Sequence, residues 1–134
     1  MHYMLDTNAV SVALRGQEAL DARLSQLDSG QWCISAVTRA ELRYGLALKP
    51  QAKHLPRLVN AFLDVAHTAP WDAAAADAHG KLRAALRRAG TPIGDFDEMI
   101  AAHALALGAV LVTGNEKHFR RVKGLIVENW VRSG

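Results

Sequence analysis

Three acidic residues stand far apart in the sequence, each where a carboxylate is out of character. Asp6 closes the apolar opening Met4-Leu5, and Glu41 lies inside a hydrophobic helix-like stretch. Asp97 belongs to Gly94-Asp95-Phe96-Asp97-Glu98, just before Ile100-Ala101-Ala102. Separated carboxylates that a fold brings together suit Mg²⁺ or Mn²⁺, because hard cations take oxygen ligands. Converged to about 4 Å without a counter-ion, each pair would repel by roughly 4 kcal/mol at an effective dielectric of about 20. A divalent cation offsets that repulsion, so the pattern points to metal-dependent phosphate chemistry.

Each acid also has a structural reading. Asp6 followed by Thr7-Asn8 is a natural helix N-cap. Glu41 is harder to explain that way, because an ionised carboxylate on a buried stripe costs several kcal/mol unless paired. Arg39 and Arg43 are two residues away and point to other sides of a helix. Asp95 and Glu98 have the spacing of a capping box, which leaves Asp97 without a structural task.

Other chemistries fare worse. The histidines at 2, 54, 67, 79, 103 and 118 form no zinc-type pair, and the single Cys33 sits among apolar neighbours. Neither a Gly-x₄-Gly-Lys-Ser/Thr loop nor a Gly-x-Ser-x-Gly elbow is present, which disfavours ATPases and serine hydrolases. A phosphomonoesterase using Asp6 as nucleophile would be expected to open Asp-x-Asp, and residue 8 is Asn.

The elements that must position the acids follow from periodicity. Residues 3 to 5 read as a buried strand that places Asp6 at its carboxyl end, and 32 to 35 as a second. Leu20, Leu24 and Leu27 predict an amphipathic helix over 17–28, ended by Ser29-Gly30. Val37, Ala40, Tyr44 and Leu48 share a helical stripe over 36–48 with Glu41 on it, Ser35 being the cap. Further helices are expected over 55–66, from Asp72 to Ala89, and over 96–107. Residues 67–71 read as a connector or short strand, 109–112 as a buried strand and 125–127 as a weaker one. Apolar strands alternating with helices predict an α/β/α sandwich with a central mostly parallel sheet flanked by helices. In such sheets ligands bind beyond the strands' carboxyl ends, where Asp6 and Thr113-Gly114-Asn115 fall.

At 134 residues a single domain over 1–134 is expected, with disorder confined to Arg132–Gly134. The opening residues lack a secretory pattern, and no run reaches about 18 apolar residues, so a cytoplasmic protein without a membrane segment is expected. Sixteen Lys and Arg against thirteen Asp and Glu give +3. The basic residues gather at Arg83, Arg87 and Arg88 and over 117–123, as solvated faces or as tracks for phosphates.

Four segments in order carry a family resemblance. They are Met4-Leu5-Asp6-Thr7-Asn8, the run 34–45 around Ala40-Glu41-Leu42, the run 93–105 around Phe96-Asp97-Glu98-Met99-Ile100, and Leu111-Val112-Thr113-Gly114-Asn115 with 116–119. Together with the closing 124–130 they resemble the PIN-domain family, and within it the VapC-type toxins of toxin-antitoxin pairs. The resemblance implies a Mg²⁺- or Mn²⁺-dependent endoribonuclease, RNA as substrate, a cognate antitoxin as partner, and a homodimer. It implies Asp6, Glu41 and Asp97 as the catalytic acids, Asp6 and Asp97 as metal ligands, and Glu41 as a water-mediated ligand or general base. Thr7, Thr113 and Asn115 would orient these groups or contact phosphate. A fourth acidic position of the family falls near Asn115, where an amide adds no charge, and Glu116 stands one residue away. The alternative is a non-catalytic PIN-fold module that binds nucleic acid or a partner.

Overall fold

In a computed structural model, described over residues 2–131, five short strands form one sheet in the order β3-β2-β1-β4-β5. The strands are β1 Tyr3–Leu5, β2 Trp32–Ser35, β3 Thr68–Ala69, β4 Val110–Val112 and β5 Val127–Glu128. Every pairing is parallel. The expectation for Arg132–Gly134 lies outside the described residues.

Strand alternation distributes two cores. Met4, Cys33 and Leu111 are in register and join one apolar cluster with helices α5 (Ala73–Arg88) and α6 (Asp95–Leu107). Leu5, Ile34 and Val112, one residue further on, join the other. That second cluster takes in α1 (Thr7–Leu14), α2 (Glu18–Ser25), α3 (Ala36–Ala47) and α4 (His54–Val65). With a period of two, neighbouring residues of one strand must feed opposite faces, so both sides of the sheet are covered and the strands read as continuously apolar.

The sandwich and its boundaries agree closely with the expectation, with five differences. A helical turn, α7 Glu116–Phe119, follows β4, and a 3₁₀ turn Ser29–Gln31 precedes β2. The α2 helix ends at Ser25, leaving Leu27 beyond it. The expected apolar stripe on α3 is a mixed one: Val37, Thr38 and Leu42 face inward, whereas Tyr44 and Leu48 are exposed. The expected capping box at Asp95 is absent. Gly94, at φ +112°, is the N-cap, Glu98 turns back to accept from the Ile93 amide, and Asp95 faces Arg83 and Arg87.

Candidate active site

The strand order reverses beside β1, which lies between β2 and β4. Chains leaving the carboxyl ends of β1 and β4 therefore diverge and leave a crevice, where ligands bind in open parallel sheets. Asp6 is the residue after β1 and Thr113 the residue after β4, tied to neighbouring strands through Asp6 N to Val112 O and Thr113 N to Glu128 O, both 3.0 Å.

Asp6 takes the capping task foreseen for it. Its Oδ1 caps α1 by accepting from the Ala9 amide at 2.7 Å, and its side chain is 1% exposed. Its pKa is raised from 3.8 to about 7, chiefly by burial; bonds from Thr113 and the Ala9 amide oppose the rise, and the charges of Asp97 and Glu41 add to it. Asp97, on the first turn of α6, is also shifted up, by burial first and then by Glu41, with His118 pulling the other way. The three acids thus feel one another although 91 residues of sequence separate the first from the last.

Glu41 is partly buried on α3 and accepts a 2.6 Å hydrogen bond at Oε1 from the Thr7 hydroxyl. Thr7 shares a second bond, 3.1 Å, with the buried Thr38 hydroxyl. Thr113 does more than line the crevice: it bonds to Asp6 and accepts from the Asn115 amide at 2.9 Å. Asn115 is the N-cap of α7 without a side-chain cap bond. Glu116 is committed elsewhere, to Arg120 and to Asn129 Nδ2.

Three further residues acquire roles that sequence reasoning did not assign. Asn8 Oδ1 accepts from the Gly114 amide at 2.9 Å and clamps the β4–α7 turn to the start of α1. A Cβ at Gly114 would lie 2.6 Å from that oxygen, so any larger residue would push the Asn8 amide out of this clamp. Thr38 buttresses Thr7. Ser35, the cap of α3, also bonds His103 Nδ1 at 2.8 Å and so joins β2 and α3 to α6. Burial lowers the His103 pKa and so favours the neutral ring, against the opposing influence of Asp72 and the Pro70 carbonyl. Asn8, two residues after Asp6, and Thr38, one helical turn before Glu41, are small polar residues whose spacing from an acid is the signal that could have found them.

The donor set fits a hard cation. It is made of oxygens, it carries mutual repulsion, and buried Asp6 keeps its proton up to about pH 7 unless positive charge replaces it. Among the described residues no three His, Cys, Asp or Glu side chains are gathered into a ready metal cage. Mg²⁺ does not need one, since it keeps several waters and takes one or two carboxylates together with substrate phosphate.

Among known families, the model described as "PIN domain" matches residues 3–125. The tRNA(fMet)-specific endonuclease VapC of Shigella flexneri is 38% identical over 130 residues, covering 97% of this chain and 98% of the relative. The VapBC2 complex of Rickettsia felis, solved on a DNA fragment from its promoter, contains a chain that is 34% identical with a TM-score of 0.90, covering 97% and 99%. The DNA-bound VapBC of Salmonella typhimurium gives 34% and 0.87, covering 97% and 98%.

Proposed function

The chain belongs to the PIN-domain family, and on that premise we propose that it is the VapC-type toxin of a toxin-antitoxin pair, an endoribonuclease that depends on Mg²⁺ or Mn²⁺. What supports this reading is the charge influence of Asp97 and Glu41 on buried Asp6, and of Glu41 on Asp97, beside the carboxyl end of β1. Asp6 and Asp97 would hold the cation, and a cation so held supplies neutralisation of phosphate charge and a more acidic water.

The chain's own residues divide the remaining work. Glu41, its Oε1 held by Thr7, keeps its other oxygen to accept the proton of the attacking water. Thr113 orients Asp6 and, through the Asn115 amide, the loop beside it. Asn115 offers an amide in place of a fourth acid, so the centre is a three-carboxylate one. Asp6 and Ser35 are buried at the carboxyl ends of β1 and β2, where the low local dielectric strengthens the hydrogen bonds they make.

The RNA backbone is held electrostatically, in keeping with a pI near 9.4. The basic residues are unequal in this. Arg83 and Arg87 lie 3.8 and 3.7 Å from Asp95, and Arg120 is paired with Glu116, whereas Lys117 and His118 line the turn after Asn115. The named substrate of the Shigella flexneri relative makes tRNA(fMet) the first RNA to test. No helix among the described residues is long and apolar enough to cross a membrane, and a cytoplasmic homodimer inhibited by its antitoxin is the proposed setting.

Purified protein is incubated with total bacterial RNA, with Mg²⁺ or with EDTA, and the new RNA ends are mapped. Cleavage at discrete phosphates that EDTA stops supports the reading. RNA binding without metal-dependent cleavage would make the chain a binding module instead.

A further inference from the structure

Tyr44 and Phe96 are large apolar side chains that the fold leaves in solvent, 66% and 56% exposed. Isolated exposed apolar residues are ordinary on a protein surface, but these two line a single cavity of about 560 Å³. The other walls of that cavity are Thr7, Ala40 and Glu41. Its floor is therefore the hydrogen-bonded pair at the carboxylate centre, and its rim is aromatic.

The sequence explains the arrangement. Tyr44 follows Glu41 by three residues on α3, which puts both on one face of the helix. Phe96 directly precedes Asp97 at the start of α6. Helices α3 and α6 pack against each other, so each brings one exposed ring to the same cavity, with Glu41 of α3 in its wall. Neither ring belongs to either apolar core, and neither stacks on another ring among the described residues.

We propose that Tyr44 and Phe96 form a stacking platform for an unpaired nucleobase adjoining the scissile phosphate. The proposal rests on the ribonuclease reading and adds to it a subsite and two substrate-binding residues. A splayed-out base presents a flat π-face that aromatic side chains bind in single-stranded RNA. The cavity volume falls within the roughly 300–1,000 Å³ of small-ligand sites, enough for a base and its sugar. A protein segment would find apolar cover here as well. Continuity of the cavity with Glu41 and Thr7 favours RNA, because whatever fills it sits against the reacting centre. Stacking tolerates every base, so the platform imposes single-strandedness rather than a sequence.

The test uses a short RNA spanning a mapped cleavage site, intact or with an abasic nucleotide on one or the other side of the scissile phosphate. For the wild type, one abasic position lowers kcat/KM by roughly five- to a hundredfold, the span of one stacked base. Tyr44→Ala and Phe96→Ala lower kcat/KM on the intact RNA to a similar degree, mainly through KM, and lose little more on the abasic one. Tyr44→Phe and Phe96→Tyr stay near wild type. Alanine variants that cleave the intact RNA as the wild type does overturn the platform, and all the more so if they have lost self-association or inhibition by a protein partner. Failure of the parent reading looks different, since the wild type would then cleave neither RNA in Mg²⁺. In that event, equal binding of a 2-aminopurine RNA by wild type and alanine variants, followed by fluorescence, overturns the platform independently.

Discussion

Thr7 Oγ1 and Glu41 Oε1 lie 2.6 Å apart, joining the first residue of α1 to the middle of α3 across 34 positions of sequence. A carboxylate on a long, flexible side chain is thereby held in one orientation, which matters because a misplacement of about 1 Å at a reacting centre can cost about 10²-fold in rate.

Thr7→Val is accordingly expected to lower kcat by about tenfold or more, while Thr7→Ser retains it. Both variants should keep the wild-type fold, because Thr7 is only partly buried. Single-turnover cleavage and circular dichroism together check this.

The raised pKa of Asp6 gives a signed pH dependence. Unfolded, Asp6 loses its proton near its ordinary 3.8; folded, it keeps the proton up to about 7. Between those values the native state binds more protons, so without metal the stability falls as pH rises from about 4 to about 7 and levels off above. The ceiling on this loss is on the order of 4 kcal/mol. Asp6→Asn removes it while an amide oxygen can still cap Ala9, so this variant should melt higher than wild type at pH 8 in EDTA. A lower Tm there would contradict the assignment.

Divalent cation acts in the opposite direction. Mg²⁺ or Mn²⁺ competes with the Asp6 proton, so the rise in Tm that it causes should grow with pH over the same window and shrink in Asp6→Asn or Asp97→Asn. Binding at about 100 times Kd stabilises by roughly 2.7 kcal/mol. Thermal scans at pH 5.5 and pH 8 with and without Mn²⁺ measure the effect.

The sequence was informative where local chemistry and global fold agreed. The apolar runs 3–5, 32–35 and 109–112 declared their strands because both faces of the sheet are covered, and Asp6 stood out by ending one of them. Asp97 could be separated from its acidic neighbours, although the reason was different from the one inferred: Asp95 turns to arginines of α5 and Glu98 to the Ile93 amide. What stayed hidden depends on contacts remote in sequence. The spacing of Tyr44 and Leu48 matches a buried stripe, and only the packing of α3 against α4 and α6 shows that Leu42 takes the interior. Asn8, Thr38 and Ser35 likewise gain their roles from partners 106, 31 and 68 positions away.

Ser35 illustrates a structural cost beside the site. Ser35→Ala removes the cap on the Val37 amide and leaves His103 Nδ1 buried without its partner. A loss of about 2–3 kcal/mol is expected from these two effects, measurable by urea unfolding at constant m-value.

The most direct measurement is metal-dependent cleavage of a mapped RNA by Asp97→Asn beside the wild type, with folding checked by Tm. The account predicts a folded variant whose rate in Mg²⁺ has fallen by a factor of about 10² or more, equal to removal of several kcal/mol of transition-state stabilisation. A folded Asp97→Asn that cleaves at the wild-type rate, with EDTA still abolishing the activity, would contradict it.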